Sequence, residues 1–163
     1  MAEHAVVNSS PLIFLGRAGR LDLLQGVLDT CFVPEPVRTE IYGRGTNDVT
    51  VKALSMNTWI RTVAGSVIPE SVSAWGLGAG ESSVLSFALA DLTRNTVAVI
   101  DDLAARQCAV TLGIPVRGTL GLVLTAKKRG IISLARPVME ELIVHGMYLS
   151  KSVLDQALAR VGE

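Results

Sequence analysis

The chain has 163 residues, of which 49% are hydrophobic and 18% charged, and its formal net charge is zero. This length suits one domain, and the neutral balance excludes a broadly basic nucleic-acid-binding module, so any contact with nucleic acid must be local. Aromatic residues make up only 4% of the chain, which argues against a fold that grips single strands mainly by base stacking.

Hydropathy and the first residues predict where the protein resides. Met1 to His4 contain no basic stretch of the kind that opens a secretory signal, and no apolar run approaches the roughly 18 residues of a membrane span. We therefore expect a soluble cytoplasmic protein with no membrane partner. The high hydrophobic content favours a large core or a buried self-interface, and we expect a homodimer. Cys31 and Cys108 stand apart among apolar neighbours, which predicts buried, reduced thiols.

Short β-branched runs alternate with helical patterns along the chain. The runs are continuous rather than alternating apolar and polar, as expected where helices cover both faces of a sheet. We predict strands at residues 5–7, 31–33, 66–68, 97–100 and 114–116. Because the strands alternate with helices, the sequence predicts an α/β fold of three layers, α/β/α, with a central parallel sheet of about five strands.

Caps and apolar spacing predict the helices. Ser10-Pro11 supplies an N-cap and a proline at the first helical position, and residues 48–61 read as one longer helix. Further helices are predicted at 21–28, 34–41, from 81 to about 92, from 102 to about 113, and at 120–129, 137–144 and 150–161. We predict a single domain spanning residues 1–163, in which residues 133–163 form C-terminal helices that pack on the core or on a dimer partner.

Polar residues fall at the carboxyl ends of the predicted strands, where open parallel sheets bind ligands. They are Asn8, Ser9, Glu40, Glu81, Asp101 and Asp102. Gathered carboxylates are costly unless a cation neutralises them, and oxygen ligands without Cys or His suit Mg²⁺ or Mn²⁺. We therefore predict a magnesium or manganese site at this edge that activates water for attack on a phosphodiester.

Helical phase favours inward-facing carboxylates at Glu40 and Glu81, because each shares the apolar side of its helix. Every acid also has a purely structural alternative. Glu81 fits a first-turn acid that the helix dipole favours, and Glu40 fits a solvated or ion-paired side chain. Asp101-Asp102 fits a strand end followed by a helix cap.

Three further features bear on ligands. Ser9 is placed to position a water or a phosphate, and Arg106 and Arg117 are candidates for gripping a phosphate backbone. The spacing Gly76-x-Gly78-x-Gly80 leaves open a nucleotide-binding α/β protein. That spacing is not the dinucleotide fingerprint, and the loop does not follow the first strand.

Six ordered segments carry a resemblance that covers nearly the whole chain. They are Val7-Asn8-Ser9-Ser10-Pro11-Leu12-Ile13, Pro34-x-x-Val37-x-x-Glu40, Gly78-x-Gly80-Glu81, Ile100-Asp101-Asp102 with Ala105-Arg106, Gly118-Thr119-Leu120-Gly121 and Lys127-x-x-Gly130. Together they resemble the prokaryotic PIN-like proteins related to VapC toxins. The resemblance implies a PIN fold in which acidic side chains hold Mg²⁺ or Mn²⁺ to cleave single-stranded RNA, often in a dimer and sometimes under an antitoxin.

The resemblance also assigns residues. The metal-binding, catalytic acids would be Glu40, Glu81 and Asp101 or Asp102, and the first position, usually an aspartate, is Asn8. An amide oxygen can ligate a metal but supplies no charge, so we expect a lower metal affinity. The leading hypothesis is a metal-dependent endoribonuclease with a weakened site. The alternative is a degenerate PIN-like protein that binds RNA or a protein partner without catalysis.

Overall fold

The computed structural model describes residues 3–163 and contains a five-stranded sheet in which every pairing is parallel. The strands follow the order β3-β2-β1-β4-β5 across the sheet. Their bounds are β1 His4–Val7, β2 Thr30–Pro34, β3 Ile60–Val63, β4 Thr96–Val99 and β5 Val116–Arg117. This confirms the predicted α/β class and the parallel sheet of five strands.

Helices occupy the connections between the strands. Within residues 3–163 they are α1 Ser9–Arg17, α2 Asp22–Val27, α3 Glu35–Tyr42, α4 Val49–Met56, α5 Glu70–Ser73, α6 Ala79–Ala90, α7 Leu103–Thr111, α8 Thr119–Lys128, α9 Arg136–Val144 and α10 Lys151–Ala159. No helix in this part of the chain combines the length and the apolar character needed to cross a membrane.

The connections distribute the helices over both faces of the sheet. The chain moves from β1 outward to β2 and β3, and then returns past β1 to β4 and β5. Right-handed crossovers in opposite directions place their helices on opposite faces, so α1 and α2 lie on one face and α6 and α7 on the other. Contacts agree, since α6 packs against α7 whereas α2 packs against α8. The result is the predicted three-layer arrangement.

The third strand lies elsewhere than the sequence predicts. Residues 66–68 have no regular structure, and the side chain of Val67 is 93% exposed. The observed strand, β3, pairs with β2 through Cys31 and Ile60 and leaves Arg61 and Thr62 exposed. It is an edge strand with a mixed pattern, and a search for continuous apolar runs therefore passes over it.

The predicted helix over 48–61 is wrong in its second half. Asp48 caps the helix as expected, accepting from the backbone nitrogen of Thr50 at 2.8 Å, but α4 ends at Met56. Asn57 turns its side-chain amide back to the carbonyl oxygen of Ala53, satisfying a backbone group at the helix end. The apolar residue Ile60 therefore belongs to the strand rather than to the helix.

The core is built from the central strands and the helices that cover them. β1 and β4 are almost wholly buried, and α1 approaches α4 closely where Gly16 faces Thr50. Cys31 and Cys108 are free and buried, which confirms the predicted thiols. Burial raises the pKa of the Cys31 thiol to about 12.

The C-terminal helices pack on the same chain. In α10, Leu154 and Leu158 are buried in the hydrophobic core. The carboxylate of Glu163 accepts hydrogen bonds from the backbone nitrogens of Ala135 and Arg136, at 2.6 and 3.0 Å. These bonds satisfy free N–H groups at the start of α9 and tie the end of the chain to it.

Candidate active site at the carboxyl edge of the sheet

The order in which the chain adds strands reverses between β1 and β4, and the carboxyl ends of these two strands therefore border a crevice. Open α/β sheets bind ligands at such a switch point. Val7 lies beside Val99 in the register, so Asn8 follows β1 at the level where β4 ends. The backbone nitrogen of Asn8 donates to the carbonyl oxygen of Val99 at 3.0 Å, which fixes this position. Asp101 lies two residues beyond Val99 at the same edge.

Asn8 is buried and makes a long-range contact with α6. Its side chain nitrogen donates to Oε1 of Glu81 at 3.0 Å, and the residue is 1% exposed. Because a carboxylate can only accept, the Nδ2 atom faces Glu81 and Oδ1 points elsewhere. Within the described chain, Asn8 Oδ1 is buried and has no hydrogen-bond partner. Such an atom is costly to bury and is a reason to look for a ligand.

Glu40 reaches the same region from α3. Its Oε1 atom accepts a hydrogen bond of 3.0 Å from the hydroxyl of Ser9, which is itself buried. Glu81 is half-buried, and although Glu40 as a residue is exposed, its carboxylate turns inward as predicted, towards Ser9 and Gly80. Only the tip of its side chain turns towards Ser9. The two acids therefore approach the crevice from α3 and α6.

Gly80 leaves a small space beside two of these oxygens, Asn8 Oδ1 and Glu40 Oε2. A Cβ atom at this position would lie 3.0 Å from Asn8 Oδ1 and 3.1 Å from Glu40 Oε2. Both distances are tighter than ordinary carbon–oxygen packing. The glycine thus keeps a small cradle open beside the unpartnered amide oxygen and the free oxygen of Glu40.

The structure separates Asp101 from Asp102. Asp101 accepts two bonds from Thr119, at 2.7 Å from its backbone nitrogen to Oδ1 and at 2.6 Å from its hydroxyl to Oδ2. Asp102 is exposed and caps α7, accepting from the backbone nitrogen of Ala105 at 2.8 Å. The structural alternative of a helix cap is therefore correct for Asp102, while Asp101 is held at the crevice.

The two predicted phosphate-binding arginines have different surroundings. Arg106 lies near Asp101, since a Cβ added to Gly118 would meet Asp101 Oδ1 at 3.0 Å and Arg106 Nη1 at 3.4 Å. Arg117 forms an ion pair with Glu3, which also pairs with Arg129. Arg117 is therefore engaged in an ion pair that Glu3 shares with Arg129, whereas Arg106 is exposed beside the crevice.

The assembled donor set differs from the four-carboxylate cluster that the sequence suggests. Among residues 3–163, no three Asp, Glu, His or Cys side chains form a group that could hold a metal ion. What the fold brings together is one amide and two carboxylates, from Asn8, Glu40 and Glu81. An amide oxygen, carboxylate oxygens and water are ligands that Mg²⁺ and Mn²⁺ accept. The residues fit such a cation, with less negative charge than three carboxylates would supply.

Thr119 and Gly80 shape this site, although sequence reasoning gave them other roles. Thr119 directly precedes the helix predicted at 120–129, and Gly80 belongs to the glycine spacing that left a nucleotide-binding protein open. The signal for Thr119 was available, because it follows β5 at the same sheet edge as the predicted acids. The role of Gly80 depends on a close approach of Asn8 and Glu40 that only the tertiary structure reveals.

A three-layer α/β fold with a polar, partly acidic crevice at its switch point belongs to the class of open α/β proteins, which bind their ligands at this edge of the sheet. A family model described as a PIN domain matches residues 4–163. The chain belongs to the PIN-domain family, which gives it a nuclease-type fold. No curated protein matches the chain.

Proposed function

We propose that the protein is a Mg²⁺- or Mn²⁺-dependent endoribonuclease of VapC type that cleaves single-stranded RNA at the crevice between β1 and β4. The observation that carries the proposal is the buried, unpartnered Oδ1 of Asn8, which faces the cradle at Gly80 together with an oxygen of Glu40. A cation in this cradle would satisfy the amide oxygen and offset the two acids. Membership of the PIN-domain family supports the same chemistry.

The residues around the cradle would divide the work. Asn8, Glu40 and Glu81 would hold the metal, and Asp101 would complete the acidic edge. Ser9 fixes the carboxylate of Glu40 through its hydroxyl. When bound, the metal would lower the pKa of a bound water and stabilise charge on the scissile phosphate.

Two residues near the cradle would have supporting roles: Arg106 would bind the substrate, and Thr119 would orient Asp101. Arg106, exposed beside Asp101, would bind a phosphate oxygen of the substrate. Thr119 fixes Asp101 with two hydrogen bonds, so the carboxylate keeps one orientation. A fixed orientation matters because catalytic groups must be held in place before the substrate arrives.

Cleavage of single-stranded RNA by the wild type and by Glu81→Ala tests this proposal, with Mn²⁺ or Mg²⁺ and with a chelator. We expect cleavage by the wild type that the chelator stops and a loss of at least about 10²-fold in Glu81→Ala, the scale on which a key charge-stabilising group acts. Glu140→Ala, at an exposed site on α9, is the matched control and should keep full activity. Cleavage that persists in Glu81→Ala would overturn the proposal.

A second candidate function rests on how well the acids are already satisfied. Glu81 accepts from Asn8, Glu40 from Ser9, and Asp101 from Thr119. Such bonds let the edge stand without a cation, which favours a degenerate PIN-like protein that binds RNA or a protein partner. Its mark would be RNA binding without cleavage, unchanged when a chelator is added.

The partner proposals are a cytoplasmic homodimer and, by family resemblance, an antitoxin. On the outer face of α7, Leu103 and Val110 are each 69% exposed, and they border a cavity of about 590 Å³ together with Trp75. Exposed apolar groups of this kind are typical of protein contacts. Light scattering of the wild type and of Leu103→Glu at several concentrations tests the homodimer, which the variant should weaken.

A further inference from the structure

A groove of about 370 Å³ leads away from Asp101 towards the C-terminal helix. Its lining includes Asp101, Arg106 and Gly118, next to the proposed active site. Its lining also includes Tyr148, in the loop between α9 and α10, and Arg160, at the end of α10. A volume of this size matches the sites that hold small ligands or single groups of a larger one.

The groove carries positive charge that is not balanced within the described residues. Arg106 and Arg160 are exposed, and neither forms an ion pair with any residue from 3 to 163. The acid that lines the groove, Asp101, accepts one hydrogen bond from Thr119 on each oxygen and forms no ion pair with either arginine. The two guanidinium groups are therefore available to an anionic ligand, and guanidinium binds phosphate oxygens well.

The same groove offers an apolar floor and an exposed ring. The side chain of Tyr148 is 93% exposed, although the chain has only seven aromatic residues in total, two Trp, two Tyr and three Phe. Apolar side chains line the floor beside it, namely Leu120, Leu124, Val153 and Ala157. An exposed ring in a groove that also contains cations allows a base to stack while its phosphates are neutralised.

We infer that this groove binds the part of a single-stranded RNA that flanks the scissile phosphate, with one base stacked on Tyr148 and one phosphate on Arg160. The inference rests on the proposed ribonuclease function, because it assigns the substrate a path out of that site. An aromatic ring together with guanidinium groups in one groove favours a nucleic acid over a protein, for which a larger apolar surface is typical.

Fluorescence anisotropy of the full chain with a short fluorescein-labelled oligouridine tests the groove, in chelator so that the probe stays intact. Tyr148→Ala should weaken binding about tenfold, as expected for the loss of one stacked base, and Tyr148→Phe should restore it. Arg160→Gln should reduce the slope of log K against log salt by about 0.7, the value for one phosphate contact with a single strand. Lys52→Gln, an exposed cation on α4 outside the groove, should leave that slope unchanged.

Several results would overturn the groove. One is RNA affinity at the wild-type level in Tyr148→Ala, and another is an equal change of the salt slope in Arg160→Gln and Lys52→Gln. A third is a change of oligomeric state in Tyr148→Ala, which would make the groove a protein contact. Metal-dependent cleavage by the same variants separates this inference from the proposed function. Tyr148→Ala should raise KM with kcat unchanged. If Tyr148→Ala cleaves RNA with an unchanged KM and a chelator still stops cleavage, only the groove inference is wrong. If the wild type binds RNA in the groove but does not cleave it, the proposed ribonuclease function is wrong.

Discussion

The side-chain nitrogen Nδ2 of Asn8 donates a 3.0 Å hydrogen bond to Oε1 of Glu81, joining the end of β1 to the first turn of α6. An aspartate at this position would put two carboxylates at hydrogen-bond distance, which requires a proton or a cation between them. Asn8 supplies a hydrogen instead. The contact between Asn8 and Glu81 therefore needs no cation between the two side chains, while the amide oxygen still faces the cradle at Gly80.

Replacing Asn8 with Asp tests this relationship directly. Repulsion from Glu81 should destabilise the metal-free protein by about 1–3 kcal/mol, or roughly 3–10 °C in Tm. Mn²⁺ should raise the Tm of Asn8→Asp more than that of the wild type, because the variant binds the ion more tightly. RNA cleavage should rise several-fold. Thermal unfolding with Mn²⁺ and with chelator measures the effect, and an ion response absent from both proteins would contradict the proposed metal site.

Gly80→Ala probes the cradle itself. In a helix, alanine alone favours folding by about 0.5–1 kcal/mol relative to glycine, so the variant should fold. Its methyl group would crowd Asn8 Oδ1 and Glu40 Oε2, at 3.0 and 3.1 Å. Misplacement of such groups can cost up to about 10²-fold in rate, and we expect cleavage to fall by about tenfold or more.

Gly65→Ala is the matched control, because its added carbon would meet Pro36 at an ordinary 3.6 Å. Activity should be unchanged in this variant. If Gly80→Ala and Gly65→Ala cleave RNA equally well with the same metal requirement, the space beside Gly80 has no part in the reaction.

Patterns that depend on local spacing predicted most of the fold. β1 and β2 are continuous apolar runs covered by helices, so the local run of apolar residues is enough to predict their positions. The pattern search did not predict β3, because it is an edge strand in which Arg61 and Thr62 face solvent. Its pairing with β2 stabilises it, and that pairing is a tertiary contact which no window of sequence contains.

The candidate site was predictable as an edge but not as a set of contacts. Strand order turns Asn8, Glu81 and Asp101 into neighbours of one crevice, and the rule for parallel sheets anticipates that. Which acid meets which partner depends on side-chain geometry. Asp102 caps a helix and Asp101 binds Thr119. Because the two aspartates are adjacent and identical, the sequence does not indicate which of them takes which role.

Thr119→Val tests the clamp on Asp101. The substitution nearly preserves shape at a fully buried position but removes the hydroxyl that donates to Asp101 Oδ2 at 2.6 Å. Losing a hydrogen bond to a charged group should lower the free energy of unfolding by about 1–3 kcal/mol. Thr119→Ser retains the hydroxyl and should keep the bond. Urea denaturation measures both variants, and a Thr119→Val protein as stable as the wild type would show that the clamp contributes nothing.

Asp91, after α6, predicts a specific acid dependence of stability. The hydroxyls of Thr93 and Thr96 donate to its carboxylate, at 2.6 and 2.8 Å, and hold the pKa of Asp91 well below its usual range. A lowered folded-state pKa stabilises the protein above the unfolded pKa of about 3.9, and this contribution is lost as the pH falls through the folded value. Asp91→Asn should therefore be less stable than the wild type at pH 7, and the difference should shrink at pH 3. Urea unfolding at pH 7 and pH 3 measures this difference, with Glu140→Gln as the control for one lost charge. If the difference in free energy of unfolding between Asp91→Asn and the wild type is the same at both pH values, Asp91 acts through its shape rather than its charge.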